Sequence, residues 1–254
     1  MRAGFTLVEL AIVLVILGLI TGGILSGKSL IRASQVRSIS TDFSRYDMAV
    51  NGFVDQYAAL PGDMSDATEF WTAAHGTHAT CVITPAVGTE TCNGDGNGFV
   101  SGAAVTLYNE QDRFWQHLAN AGLIEGKYTG ANATYSGHST AFVAGVNMPA
   151  LKIDATGFWI AAAVTAFSGS TSIFAYPAGN MLRITSNITP KECWNIDNKI
   201  DDGRPATGYM MSNKGTAASP TTTVAGQPTS EDHNAAYNLA VNSAICNPRF
   251  LGMW

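Results

Sequence analysis

Charged side chains are scarce in this chain: Lys, Arg, Asp and Glu make up 13% of its 254 residues, and the net charge is -5. Nowhere do Lys and Arg concentrate as phosphate binding requires, which argues against a nucleic-acid partner. The five histidines are scattered, and neither a Gly-x-Ser-x-Gly elbow nor a His-Glu-x-x-His pair occurs, so the chain reads as no enzyme. None of the four cysteines forms the Cys-x-x-Cys pair of a zinc or redox site. A secretory signal peptide does not fit either, because the basic region before the apolar run is short and no Ala-x-Ala-like site follows it.

Four cysteines and no metal spacing point to two disulfides in an oxidising compartment. Three connectivities are open, and the expected one pairs Cys81 with Cys92 across a short loop and Cys193 with Cys246 across a long one.

One long apolar run is present, from Phe5 to Leu25. About 20 apolar residues cross the hydrocarbon core as a helix, so the segment reads as a membrane anchor. Lys28, Arg32 and Arg37 follow it and are placed to meet lipid headgroups. Inside the run lies one acid, Glu9. A mid-membrane carboxylate costs roughly 3 kcal/mol, whereas each Leu, Ile or Val returns about 0.3 to 0.6 kcal/mol. Insertion therefore survives, and Glu9 is left as an intramembrane charge in need of a partner.

Met1 to Leu25, with Gly4 before Phe5-Thr6-Leu7-Val8-Glu9 and then the apolar run, resembles the class III signal of type IV pilins and type II secretion pseudopilins. The resemblance implies that a prepilin peptidase cuts after Gly4 and that Phe5 becomes the methylated N-terminus. It gives Glu9 a role in docking the subunit into a helical filament; a cut after Gly4 also frees an ammonium at Phe5, four residues away in its own chain or offered by an adjacent subunit, with which the Glu9 charge can pair. It also implies insertion in the inner membrane with a cytoplasmic N-terminus, an inner-membrane assembly machinery, and a later place in a periplasmic or cell-surface filament. The expected fold is α+β and pilin-like: residues 1–4 a leader, 5–58 a long helix with 5–25 as transmembrane and filament core, and 59–254 a globular domain with an antiparallel sheet. Many type IV pilins carry a proline near the place of Ser26; here Gly18, Gly22, Gly23 and Gly27 stand instead, each lowering helix stability by about 1 kcal/mol relative to Ala.

Val36, Ile39, Phe43, Tyr46, Val50, Phe53 and Tyr57 recur in steps of three and four, so one helix is expected from Thr6 to Ala58 with its second half seated on the domain. Pro61-Gly62 ends it. Ser65 or Asp66 is placed to cap a short helix through Trp71. His75 and His78 follow in a Gly/Thr/Ala loop without an obvious third ligand. Cys92-Asn93-Gly94-Asp95-Gly96-Asn97-Gly98 resembles the first half of a calcium loop, with Asn93, Asp95 and Asn97 as oxygen ligands. Ala104 stands where a bidentate Glu would close such a loop, leaving Glu110 or Asp112 as substitutes. A plain Asn/Gly turn tied down by Cys92 is the competing reading.

A helix is expected from Asn109 through Leu118 with Gly122 as its cap. Three antiparallel strands are expected over Gly157–Ser168, Thr171–Tyr176 and Met181–Asn187. Thr189-Pro190-Lys191-Glu192 is a capping box opening a helix to about Asp201. Near its end Asp197, Asp201 and Asp202 crowd together, balanced by Lys199 and Arg204 or by a second calcium contact. Pro205 to His233 reads as a long surface loop and Ala235 to Ile245 as a strand. Two functions accord with this chain: a structural filament subunit, of pilus or pseudopilus, and a minor or tip subunit acting as an adhesin or binding module.

Overall fold

The structure, a computed structural model, describes residues 6–75, 87–101, 110–130, 142–164, 174, 179–213, 220–222, 232–252 and 254. Its dominant element is α1 (Leu7–Tyr57), 51 residues and roughly 77 Å long at 1.5 Å per residue. Thr6 caps it at one end and Ala58 closes it in the left-handed conformation at φ 53°. The glycines do not interrupt it: a Cβ added at Gly18, Gly22, Gly23 or Gly27 would meet nothing within 4 Å.

Burial divides this helix in two. All large apolar side chains from Leu7 to Ile31 are exposed, whereas Val36, Ile39, Phe43, Tyr46, Val50 and Phe53 are buried in the three-four stripe that the sequence implies. That stripe is the spine of the core. Phe43 stacks on Phe250 at 4.5 Å, and Tyr46 meets Trp115 and Trp159 edge-on at 4.9 and 5.6 Å.

Beyond α1 come α2 (Ala67–Phe70), α3 (Glu110–Asn120) and α4 (Pro190–Ile200). Gly122 at φ 72° ends α3, as a left-handed cap should. Both halves of the α4 capping box are made: Glu192 N donates to Thr189 Oγ1, and Thr189 N donates to Glu192 Oε2.

Among the described residues the strands are β1 (Trp159–Val164) and β2 (Gly179–Ile184), before α4, and β3 (Met210–Ser212), β4 (Thr221–Thr222), β5 (Ala236–Tyr237) and β6 (Pro248–Leu251) after it. Four form an antiparallel sheet in the order β1-β2-β6-β3, with Leu182 opposite Phe250 and Met210 opposite Phe250 on either side. Alternation sends Trp159, Leu182, Met210 and Phe250 into the core under α1. Met181 and Met211 face the other way, into a smaller cluster with Phe174 and Ala235. The molecule is thus pilin-like α+β: a long N-terminal helix packed on a domain with an antiparallel sheet.

Two sequence expectations are corrected. Met210–Ser212, expected within a surface loop, is the edge strand β3, buried along its whole length. Ala235 to Ile245 is not one strand: only Ala236–Tyr237 pairs, and the chain then turns, with Leu239 N donating to Tyr237 O and Val241 N to Asn238 O. The C-terminal strand of the main sheet is instead β6. Of the expected strand Thr171–Tyr176, only Phe174 lies within the described residues.

Cys193 and Cys246 are joined, tying the first turn of α4 to the chain just before β6. Ile188 and Cys246 exchange backbone hydrogen bonds of 2.8 and 2.9 Å beside the bridge. Cys92 is also disulfide-bonded, and the expected partner Cys81 lies outside the described residues.

Candidate functional site

The exposed half of α1 is the first candidate. It is long and apolar enough to cross a membrane, and none of its apolar window is buried in the domain. Leu7 is 88% exposed and Leu25 65%, values a soluble protein could not sustain over so long a stretch without another cover.

Glu9 sits at the third helical position, and its Oε2 accepts from Thr6 N at 2.8 Å and from Thr6 Oγ1 at 2.8 Å. In return Glu9 N donates to Thr6 Oγ1 at 3.2 Å, so Thr6 and Glu9 form a complete capping box. The pattern Thr-x-x-Glu that marks α4 also occurs at Thr6-Leu7-Val8-Glu9, and it is the signal by which this contact is readable from sequence. Within one chain, then, Glu9 is hydrogen-bonded but its charge has no cationic partner among the described residues. Gly4 and Phe5, the expected processing positions, lie outside the described residues.

The second candidate is the loop carrying Asn93, Asp95 and Asn97. Its position follows from two glycines. Gly62, at φ 85°, passes so close to α3 that a Cβ would sit 2.4 Å from Glu110 O, and one at Gly94 would lie 2.4 Å from Gly62 O. The turn after α1 and this loop therefore interlock, with Gly94 N donating to Met64 O and Gly96 N to Asp63 O at 2.8 and 2.9 Å. Asp63, Asp95 and Glu110 are thereby brought together, one carboxylate oxygen of each lying within 4.8 Å of the others.

Backbone donors hold the cluster in place. Asp63 accepts from Asn97 N and Gly98 N at 3.0 and 2.8 Å, and Glu110 from Asp95 N and Ser101 N at 3.0 and 2.7 Å. Burial, opposed by the Gly98 amide, pushes the Asp63 carboxyl up to about 7, with the Glu110 charge adding to the rise. Burial also raises Glu110, against the hydrogen bonds from Ser101. Of the three residues read as calcium ligands, Asp95 joins the cluster. Asn93 Oδ1 instead accepts from Thr68 N at 2.8 Å, and Asn97 Oδ1 from Phe99 N at 2.8 Å. Glu110 reaches the loop, as one of the two expected substitutes; Ala104 lies outside the described residues. Asp63 is not legible in this role from the sequence, because Pro61-Gly62-Asp63 reads first as a helix stop. His75 is exposed and His78 lies outside the described residues.

The acids at the end of α4 are satisfied by donors. Asp197, fully buried, accepts from Tyr237 Oη at 2.7 Å and from Gly203 N at 3.2 Å. Asp201 accepts from Tyr209 N and Met210 N, and Asp202 from Arg204 N at 2.8 Å and Thr207 Oγ1 at 2.6 Å. Backbone amides thus provide much of the compensation expected of Lys199 and Arg204. Burial nonetheless raises Asp197 to about 7, despite the Tyr237 hydroxyl.

An apolar helix half, long and apolar enough to cross a membrane, running into a spine that carries an α+β domain makes a pilin-like architecture. Residues 1–25 match the family model of the prokaryotic N-terminal methylation motif, so the chain carries the class III signal of type IV pilins and pseudopilins. The motif supports a pilin-like or pseudopilin precursor. Neither a curated protein nor a solved structure matches the chain.

Proposed function

We propose that this protein is a structural subunit of a type IV pilus-like or pseudopilus filament rather than an enzyme. The observation that carries the reading is the coincidence of the methylation motif with a helix half that has no domain to cover it. Exposed apolar surface of that extent needs lipid before assembly and other helices afterwards. The precursor is held in the inner membrane, cut after Gly4, and withdrawn into a filament whose core is the bundled apolar halves.

Glu9 is the assembly contact in this scheme. Its capping bonds to Thr6 leave it without a cationic partner among the described residues, and the ammonium created at Phe5, of the same chain or of a neighbour, supplies one. The test is mass spectrometry of the mature protein together with electron microscopy of fibres from a Glu9→Ala strain. Phe5 is the expected N-terminus, and the variant is expected to remain in the membrane fraction while fibres are lost. An intact Met1, or normal fibres without Glu9, would overturn the scheme. Identifying the protein in sheared surface fibres assigns it to a pilus, and finding it only in periplasmic assemblies assigns it to a pseudopilus. Scarcity in fibres that still form in its absence, with attachment lost, would assign it to a tip adhesin.

A further inference from the structure

We propose that the groove between α1 and α4 binds the phosphodiester headgroup of an anionic phospholipid. The inference rests on the membrane-anchored reading above, and it adds a specific site to it. The groove has a volume of about 500 Å³ and runs along α1 from Ser29 to Ser40 against α4. The two helices lie parallel there, because Arg32 pairs with Glu192 near one end and Lys199 Nζ donates to Ser40 Oγ at 3.1 Å near the other. Val36 and Ile196, both buried, line its floor.

Charge on the walls is one-sided. Arg32, Arg37, Lys191 and Lys199 line the groove with Glu192 as the one acid, and Arg32 spends itself on that acid in a two-pronged contact of 2.6 and 3.0 Å. Among the described residues Arg37 and Lys191 make no ion pair, and both are exposed. Three cations therefore remain for an anion.

Position selects the anion's source. The groove begins at Ser29, just past the apolar run that ends at Leu25 and beside Lys28, so it opens in the headgroup layer, where Leu30 and Ile31 are exposed. Trp194, 38% exposed on α4, suits the same interfacial layer. The N-terminal, electropositive end of α4 also faces the membrane side. A lipid phosphate meets all of these at once.

The experiment uses the full chain in micelles of an uncharged detergent, doped with phosphatidylglycerol or phosphatidylcholine and read by native mass spectrometry. Preferential, saturable binding of phosphatidylglycerol is expected, and Arg37→Gln with Lys191→Gln should weaken it about thirtyfold, roughly fivefold per cation. Unchanged melting of the double variant, whose side chains are exposed, checks that the fold is kept. Equal binding of the two lipids, or a double variant that binds as wild type does, overturns the proposal. Displacement of the lipid by glycerol phosphate at equal concentration overturns the lipid as source in favour of a soluble phosphate. Fibre loss in the double variant with lipid binding intact would assign the groove to a second copy of the chain. Resistance of the protein to alkaline extraction from membranes is scored separately: if it fails, the anchored reading fails with it, whereas anchoring without headgroup preference sinks only the groove.

Discussion

Asp197→Asn should stabilise the domain, and by more at high pH than at low. Asp197 is fully buried in α4 and is held by Tyr237 Oη and Gly203 N. An asparagine of the same shape keeps both contacts: its Oδ1 accepts from Gly203 N, while its Nδ2 donates to Tyr237 Oη, a hydroxyl that both donates and accepts. What is removed is the charge.

The folded carboxyl holds its proton to about pH 7 against 3.8 for an ordinary aspartate, because burial penalises the anion. A folded group that binds its proton more tightly than the unfolded chain contributes most below the lower value, and that contribution is lost as pH rises towards the higher one. At about 1.36 kcal/mol per pH unit the loss reaches up to roughly 4 kcal/mol above pH 7, and some 2 to 3 kcal/mol of it develops between about pH 5 and pH 8. Asparagine does not titrate, so the advantage of the variant should grow by that amount across the interval.

Thermal melts of wild type and variant at about pH 5 and pH 8, disulfides intact, give the answer as a double difference. At roughly 2–4 °C per kcal/mol for a domain of this size, the offset should widen by about 5 to 10 °C at the higher pH. Asp63, raised to about 7, and His117, lowered to about 3 by burial, titrate in both proteins and cancel. An offset equal at both pH values, or a variant less stable at high pH, would refute the reasoning.

Two further perturbations probe the covalent tie and the acidic loop. Cys246→Ser opens a bridge that closes 53 residues, which in the chain-entropy account costs about 4 kcal/mol; denaturant melts should show the loss, and a loss under about 1 kcal/mol would mean that the Ile188 to Cys246 hydrogen bonds hold the segment without it. Millimolar calcium is expected to raise the thermal midpoint, because a cation among Asp63, Asp95 and Glu110 relieves their mutual repulsion, and no shift would assign the cluster to the hydrogen-bonded turn alone.

The parts of the molecule readable in its sequence are those where one local rule acts over enough residues. α1 declares itself through a membrane-length apolar run and a three-four stripe, and Val36 to Phe53 are buried as that period requires. The α4 start follows from four residues because a capping box is local chemistry. By contrast β3 and β6 have three and four residues, too few for alternation to stand out, and they become strands by pairing with each other across a separation the sequence does not display. The acidic loop shows the same limit. Asp95 and Glu110 lie in recognisable segments, but Asp63 joins them only because Gly62 and Gly94 admit close backbone approach, a property of packing. Asn93 and Asn97 have the right residue type for cation ligands, and their oxygens are taken by Thr68 N and Phe99 N, contacts that spacing alone does not reveal.

The division of α1 bears on how assembly and domain stability are kept apart. Among the described hydrogen bonds and ion pairs, Arg32 with Glu192 is the link nearest the N-terminus between this helix and the domain. Every helix-weakening glycine of the apolar half, from Gly18 to Gly27, lies before it, where a Cβ would touch nothing. Bending or local opening there breaks no core contact, so its cost is confined to the helix's own hydrogen bonds. After Arg32 the situation reverses: α1 supplies Phe43, Tyr46 and Phe53 to the core, and the C-terminal Trp254 reaches back to Asp47 with a 3.1 Å hydrogen bond. A conformational change in the second half would therefore unpack the domain, whereas the exposed first half has no domain contact to lose. The glycines and the capped Glu9 thus fall on the side of that boundary where adaptation to new partners leaves the fold intact.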